Sequence, residues 1–126
     1  MKIELRDGLL FTSISLAFRG STSIIDDVVM DTGAAETLLS PDAVEKIGLV
    51  AEMGDKISSF YGVGGSFHNS FSKHVDKIVL GAVELEDVKV NFGVIDPSGR
   101  INGLLGLDLL MEIGASIDLK NLIISV

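Results

Sequence analysis

Apolar and polar positions alternate along much of the chain, and glycine separates one alternating run from the next. Ile14, Leu16 and Phe18 face one way while Ser13, Ser15 and Ala17 face the other, the period-two signature of a half-buried strand. Lys2 to Leu5 and Leu9 to Phe18 flank Arg6-Asp7-Gly8, a hairpin turn signal. Gly20-Ser21 turns the chain into a further strand, Thr22 to Met30. Lys56 to Tyr61 and Phe67 to Leu80 form the arms of a long hairpin with Gly62-Val63-Gly64-Gly65 at its tip, and Gly81 ends the second arm. Val83 to Leu85 and Val88 to Ile95 add strands before the turn Asp96-Pro97-Ser98-Gly99. Ile101 to Leu105 is a buried run, and Ala115 to Leu119 with Leu122 to Val126 make a last hairpin around Lys120-Asn121.

Only two segments break this pattern toward helix. Ser40 can cap, Pro41 suits the first helical position, and Asp42 sits near the positive end of the dipole. Ala43, Val44 and Ile47 supply an apolar side, and Gly48 closes a helix of about two turns. Leu107 to Ile113 predicts a second short helix, ended by Gly114. There is no linker, repeat or low-complexity stretch. The expected fold class is all-β, a closed or nearly closed barrel with one or two short helices, spanning residues 1–126 as one domain.

Composition narrows what such a domain can do. The chain has 126 residues, enough for one core. Hydrophobic residues make up 47% beside 14 glycines, which fits either a sheet-rich core or apolar surface reserved for a partner subunit. A net charge of −8 without a Lys/Arg cluster argues against nucleic acid as a partner. Cysteine is absent, so there are neither disulfides nor thiolate metal sites. Glu4 and Asp7 interrupt the first residues, which lack the apolar block of a secretory signal. Ile101 to Ile113, the longest apolar stretch, contains Asn102, Asp108 and Glu112 and is too short to span a bilayer. The expectation is a cytoplasmic protein without a membrane segment.

Candidate chemistry sits in three segments. Asp31-Thr32-Gly33-Ala34 follows the apolar run that ends at Met30, and it occurs once. Aspartic peptidases hold a catalytic carboxylate on such a loop: Gly33 permits the tight turn, and the Thr32 hydroxyl can stiffen it. Taken alone, Asp-Thr-Gly is equally a plain turn. Gly62-Val63-Gly64-Gly65 lies between arms carrying Phe60, Tyr61, Phe67 and Phe71, and reads as a loose hairpin tip or a mobile flap that excludes water. No lysine-hydroxyl pair and no helix follow it, so a phosphate loop is disfavoured. Ile101 to Leu110 contains Leu104-Leu105-Gly106, where a buried strand could run under the Asp31 loop and Gly106 could allow close backbone contact.

In their order and spacing these segments resemble the retropepsin family, the single-domain aspartic peptidases of retroviruses and their cellular and bacterial relatives. The resemblance covers about residues 10–119, with Glu36-Thr37-Leu38 and Leu109 to Gly114 as further matching details. It implies that Asp31 is the catalytic aspartate, that Thr32 interlocks the two loops of a dimer, and that Gly33 completes the catalytic motif. It also implies that Ala34, Ala35 and Glu36 pair with a bound peptide, with Gly62, Val63, Gly64 and Gly65 as the flap tip. Leu104, Leu105 and Gly106 would support the catalytic loop. The implied partners are a second copy of the chain, because one chain carries one such loop, and a polypeptide substrate. The implied activity is that of an aspartic endopeptidase with no cofactor and no metal. The retroviral ion pair is missing at both ends, since Leu107 and Ala35 stand at its positions, and Leu107-Asp108 is closer to the bacterial and cellular branch. The chain also runs beyond the usual retroviral C-terminus, whose residues help to build the dimer there, into Leu122 to Val126.

Two alternatives stay open at this level. One is a retropepsin-like module that dimerises and binds peptides without cleaving them, and another is a plain β-domain. His68 and His74, six residues apart on one face of a hairpin arm, read as a surface feature rather than a metal site. Asp26-Asp27 and Glu84-Glu86-Asp87 read as solvated turn or edge charges.

Overall fold

A computed structural model of the chain describes the backbone at residues 1–61 and 67–126 and the side chains at 1–59 and 69–126. The flap-tip segment Gly62 to Gly65 and the side chains of Phe60, Tyr61, Phe67 and His68 lie outside that description.

The architecture is mostly β, as the alternation predicts, and its main sheet closes on itself. The strands are β1 (Glu4–Arg6), β2 (Leu9–Phe18), β3 (Ser21–Met30), β4 (Leu38–Leu39), β5 (Lys56–Tyr61), β6 (Phe67–Leu80), β7 (Val83–Phe92), β8 (Gly103–Leu105), β9 (Ser116–Asp118) and β10 (Ile123–Ser125). They run in the order β1-β2-β3-β8-β4-β7-β6-β5, with an added β2–β6 pairing that closes a six-stranded barrel.

Closure works because β2 and β6 each share an edge between two partners. On β2, Leu9 to Phe11 pair with β1 while Ser15 to Ala17 pair with β6. On β6, Lys77 to Val79 take β2 while Phe67 to Ser72 take β5. The β5–β6 hairpin therefore extends from the barrel wall.

Turn chemistry follows the residues. Asp7 (φ 50°) with Gly8 (φ 77°) joins β1 to β2, and Arg19 (φ 48°) with Gly20 (φ 84°) joins β2 to β3. Both central residues of each turn are left-handed, the geometry that matches strand twist. Inside the barrel Leu16, Leu39, Phe92 and Leu105 are fully buried, and the Phe71 and Phe92 rings stack with centroids 5.5 Å apart.

Some expectations are corrected. The helix expected after Ser40 is two 3-10 turns, Pro41–Ala43 and Glu45–Ile47. The Ser40 side chain makes no cap bond, and Val44 leaves helical geometry (φ −122°, ψ −2°). Its side chain is fully buried, so core packing outweighs continuation of a helix this short. Gly48 closes the segment as expected, at φ 81°. The strands expected at Val83 to Leu85 and Val88 to Ile95 are one strand, β7. Glu86-Asp87 does not turn the chain: Asp87 takes φ 51° while the pairing with β6 stays in register. β7 ends at Phe92, and the Gly93 N–H donates to the Leu39 carbonyl (3.0 Å).

Helix α1 (Leu107–Glu112) buries Leu109 and Leu110, and Gly114 (φ 65°) ends it. β9 and β10 form the last hairpin, whose outer strand pairs with the start of the same chain. Lys2 bridges Ile123, Ile3 N–H donates to Leu122 (3.0 Å), and Ile124 N–H donates to Met1 (2.9 Å). Among the described residues no helix is long and apolar enough to cross a membrane.

Candidate active site

β3 delivers Asp31 into a loop held from below by its parallel neighbour. β8 runs beside β3 with Met30 opposite Leu105, and the Asp31 N–H donates to the Leu105 carbonyl (2.9 Å). The side chain is half-buried, and Oδ1 accepts the Gly33 N–H at 2.9 Å. The Ala34 N–H donates back to the Asp31 carbonyl (3.2 Å). Thr32, Gly33, Ala35 and Glu36 are exposed, so the loop presents its outer face to solvent around an oriented carboxylate.

Gly106 sets how close α1 can come to this loop. A Cβ there would lie 2.7 Å from the Glu36 carbonyl carbon, 2.8 Å from its oxygen and 2.9 Å from the Ala34 oxygen. All three are backbone atoms and cannot swing aside. The close approach lets Leu107 N–H donate to Ala34 (2.8 Å) and Asp108 N–H to Ala35 (3.2 Å). Orphan donors at the helix start thus reach loop carbonyls.

Asp108 completes the clamp, a role the sequence did not reveal. Its carboxylate accepts the Thr37 N–H at 2.9 and 3.0 Å and the Thr37 hydroxyl at 2.7 Å. It also accepts the Leu109 N–H at 2.8 Å. Thr37 is fully buried, and its Oγ1 accepts the Gly106 N–H (3.0 Å). The available signal was an acidic residue in the first turn of a short helix; its partner lies 71 positions away. Leu107 and Ala35, which replace the missing ion pair, are both exposed, so neither position leaves a buried charge.

A second polar chain runs from the loop toward the root of the β5–β6 hairpin. Asn91 Nδ2 donates to Glu36 Oε2 (2.7 Å), and Ser72 Oγ donates to Asn91 Oδ1 (2.6 Å). Ser72 and Asn91 are buried, and Ser72 pairs with Lys56 at the base of the hairpin. Sequence patterning did not single out Asn91 or Ser72, because polar residues on a strand read as its solvent face.

Several other charged groups pair at the surface. Among the described residues no group of three or more His, Cys, Asp or Glu could hold a metal ion. His74 lies 3.3 Å from Asp87 with both side chains exposed. Asp27 pairs with Arg6 at 2.6 Å, and Asp26 accepts the Ser13 hydroxyl at 2.7 Å. The exception is Lys73, whose buried ammonium sits 2.8 Å from Glu52 and 2.9 Å from Asp55, with Arg19 a further 3.1 Å from Glu52. Burial pushes Lys73 down, but its hydrogen bonds to Glu52 and Asp55 outweigh that and raise it above the ordinary lysine value. The Lys73 hydrogen bond in turn holds Glu52 and Asp55 below the usual carboxylate range, helped by Arg19 at Glu52 and by the Glu52 N–H at Asp55. This cluster ties the segment before β5 to β6.

The family model for aspartyl proteases matches residues 15–109, a span that starts in β2 and ends in α1 and contains the whole Asp31 loop. The chain belongs to the aspartyl protease family. Solved aspartyl proteases share the closed barrel. A retropepsin-like aspartic protease from Rickettsia conorii aligns over 98% of this chain and 86% of its own, at 23% identity and a TM-score of 0.68. The EIAV protease, solved with the inhibitor HBY-793, aligns over 92% and 98% at 20% identity and a TM-score of 0.64. The retroviral protease-like domain of Ddi1 from Leishmania major aligns over 94% and 87% at 16% identity and a TM-score of 0.63. The fold of this aspartyl protease family member is therefore retropepsin-like. No curated protein sequence matches it.

Proposed function

We propose that the chain is an aspartic endopeptidase whose active form is a homodimer, each copy contributing one Asp31. The observation that carries this reading is the Asp31 carboxylate, oriented by the Gly33 N–H on a solvent-facing loop that α1 and β8 hold from beneath. A lone carboxylate is half of the needed machinery. Two of them about 3 Å apart cannot both ionise, so the pair shares a proton. One carboxylate then takes a proton from a water molecule as the other donates one to the scissile carbonyl oxygen, and attack is direct. Thr32, exposed beside Asp31, is assigned to the contact between the two loops, and Gly33 to the turn that aims the carboxylate.

The polypeptide binds as an added strand, with backbone hydrogen bonds to Ala34, Ala35 and Glu36 and to the flap residues Gly62 to Gly65. Leu104, Leu105 and Gly106 support the loop from below. The reaction so described uses neither metal nor cofactor, and the reading places the enzyme in the cytoplasm.

The test is cleavage of a peptide library across pH by wild type and Asp31→Asn, with sedimentation of both. Cleavage that peaks at acidic pH and falls by at least about a thousandfold in a still-dimeric variant supports the proposal. A folded dimer that cleaves nothing at any pH points instead to a non-catalytic peptide-binding module. A monomer at every concentration overturns the shared pair.

A further inference from the structure

Glu36 is exposed, yet the chain commits buried polar groups to holding it. Hydrogen-bonding Ser72 to Asn91 within the barrel wall satisfies two side chains that would otherwise be costly to bury. The outward product of that pairing is an amide aimed at Glu36 Oε2 (2.7 Å). A surface glutamate kept only for solubility needs no such anchor, because water solvates it in any rotamer. No lysine or arginine of the same chain lies within ion-pair distance of Glu36 among the described residues. The anchored oxygen leaves Oε1 without a protein donor among the described residues. Glu36 shares its loop with Asp31 and, through Asn91 and Ser72, meets the root of the β5–β6 hairpin. An oriented carboxylate with no cationic partner among the described residues thus stands on the same loop as Asp31.

We infer that Glu36 selects a cationic side chain, lysine or arginine, at one position of the polypeptide substrate flanking the scissile bond. The inference rests on the peptidase reading above and narrows its substrate class. Orientation by Asn91 matters because a charged hydrogen bond gains from a fixed acceptor: the side chain has already lost its rotamer freedom when the substrate arrives.

The experiment compares peptide pairs identical except for lysine against glutamine at successive positions around the cut. Wild type is expected to favour lysine at one position by about tenfold in kcat/KM, mainly through KM, and less so at high salt. In Glu36→Gln that ratio collapses toward one, and in Glu36→Lys it inverts toward an acidic residue. Asn91→Leu, which keeps the charge and removes its anchor, lowers the ratio part-way. Binding of the same pairs to Asp31→Asn, measured by fluorescence anisotropy near pH 7, separates this inference from the catalytic one. A lysine preference in binding that disappears in Asp31→Asn/Glu36→Gln supports it even if no peptide is cut. No preference in wild type, or one that survives Glu36→Gln, overturns it, as does failure of Asp31→Asn to bind either peptide. Weakened dimerisation in Glu36→Gln with an unchanged ratio also overturns it and makes Glu36 a subunit contact.

Discussion

Replacing Gly106 by alanine isolates the contact that locks α1 under the Asp31 loop. Gly106 has φ −93° and ψ −178°, extended backbone open to any residue, so the substitution adds no conformational strain. Its whole cost is steric. The new methyl would sit 2.7 Å from the Glu36 carbonyl carbon and 2.9 Å from the Ala34 oxygen, about 1 Å inside ordinary carbon contact distances. Relief requires loop residues Ala34 to Glu36 to lift away from the helix start, stretching the bonds that Leu107 and Asp108 donate to Ala34 and Ala35. Overpacking of this kind costs about 1–3 kcal/mol. For a chain of this size that lowers Tm by roughly 3–12 °C. Under the proposed peptidase function, the strain on the loop bearing Asp31 also lowers kcat, by about a hundredfold for a displacement of about 1 Å.

The control is Gly48→Ala, where φ is 81° and nothing lies within 4 Å of the added Cβ. It costs about 1–2 kcal/mol through left-handed backbone alone and leaves kcat near wild type. Differential scanning calorimetry and peptide hydrolysis on the two variants decide the matter. A Gly106→Ala protein that melts within about 1 °C of wild type and cleaves at the wild-type rate would show that this contact does not hold the loop.

Two further predictions concern the groups around the barrel. Thr37→Val keeps the shape but removes the hydroxyl that accepts from Gly106 and donates to Asp108, so stability falls by about 1–3 kcal/mol in urea unfolding; a loss under about 0.5 kcal/mol sinks the clamp. Glu52 and Asp55 are held below their ordinary values by Lys73, so the stability they contribute is complete above about pH 4.5 and drains away as pH falls through the lower, folded values. Lys73 is held above its ordinary value, so its share is complete below about pH 10 and lost as pH rises through the folded value. Melting temperatures of wild type and Lys73→Met from about pH 2.5 to 6 should therefore converge toward the acid end, and a constant gap between the two curves would contradict this.

The strand pattern was legible because it is local. Lys56–Tyr61 and Phe67–Leu80 match the expected arms to the residue, and Asp7-Gly8 and Arg19-Gly20 make tight turns in this chain. Period-two burial along Ile14, Leu16 and Phe18 holds because neighbouring side chains on a strand must point to opposite faces. The helix expected after Ser40 and the strand break expected at Glu86-Asp87 fail because the outcome there depends on distant partners: Val44 enters the core, and pairing with β6 keeps the strand continuous through these exposed charges. Propensity is a weak prior against such packing.

The alternation, the glycine turns and the single Asp-Thr-Gly loop are written locally in the chain, since each depends on neighbours a few residues apart. Long-range packing sets which strands share edges so that the barrel closes, and brings β8 and α1 under the Asp31 loop. The same packing joins Thr37 to Asp108 and links Glu36 to Ser72 through Asn91. Those partners are brought together by strand order and by the contact at Gly106, and a hydrogen bond between distant residues leaves no periodic trace in the chain.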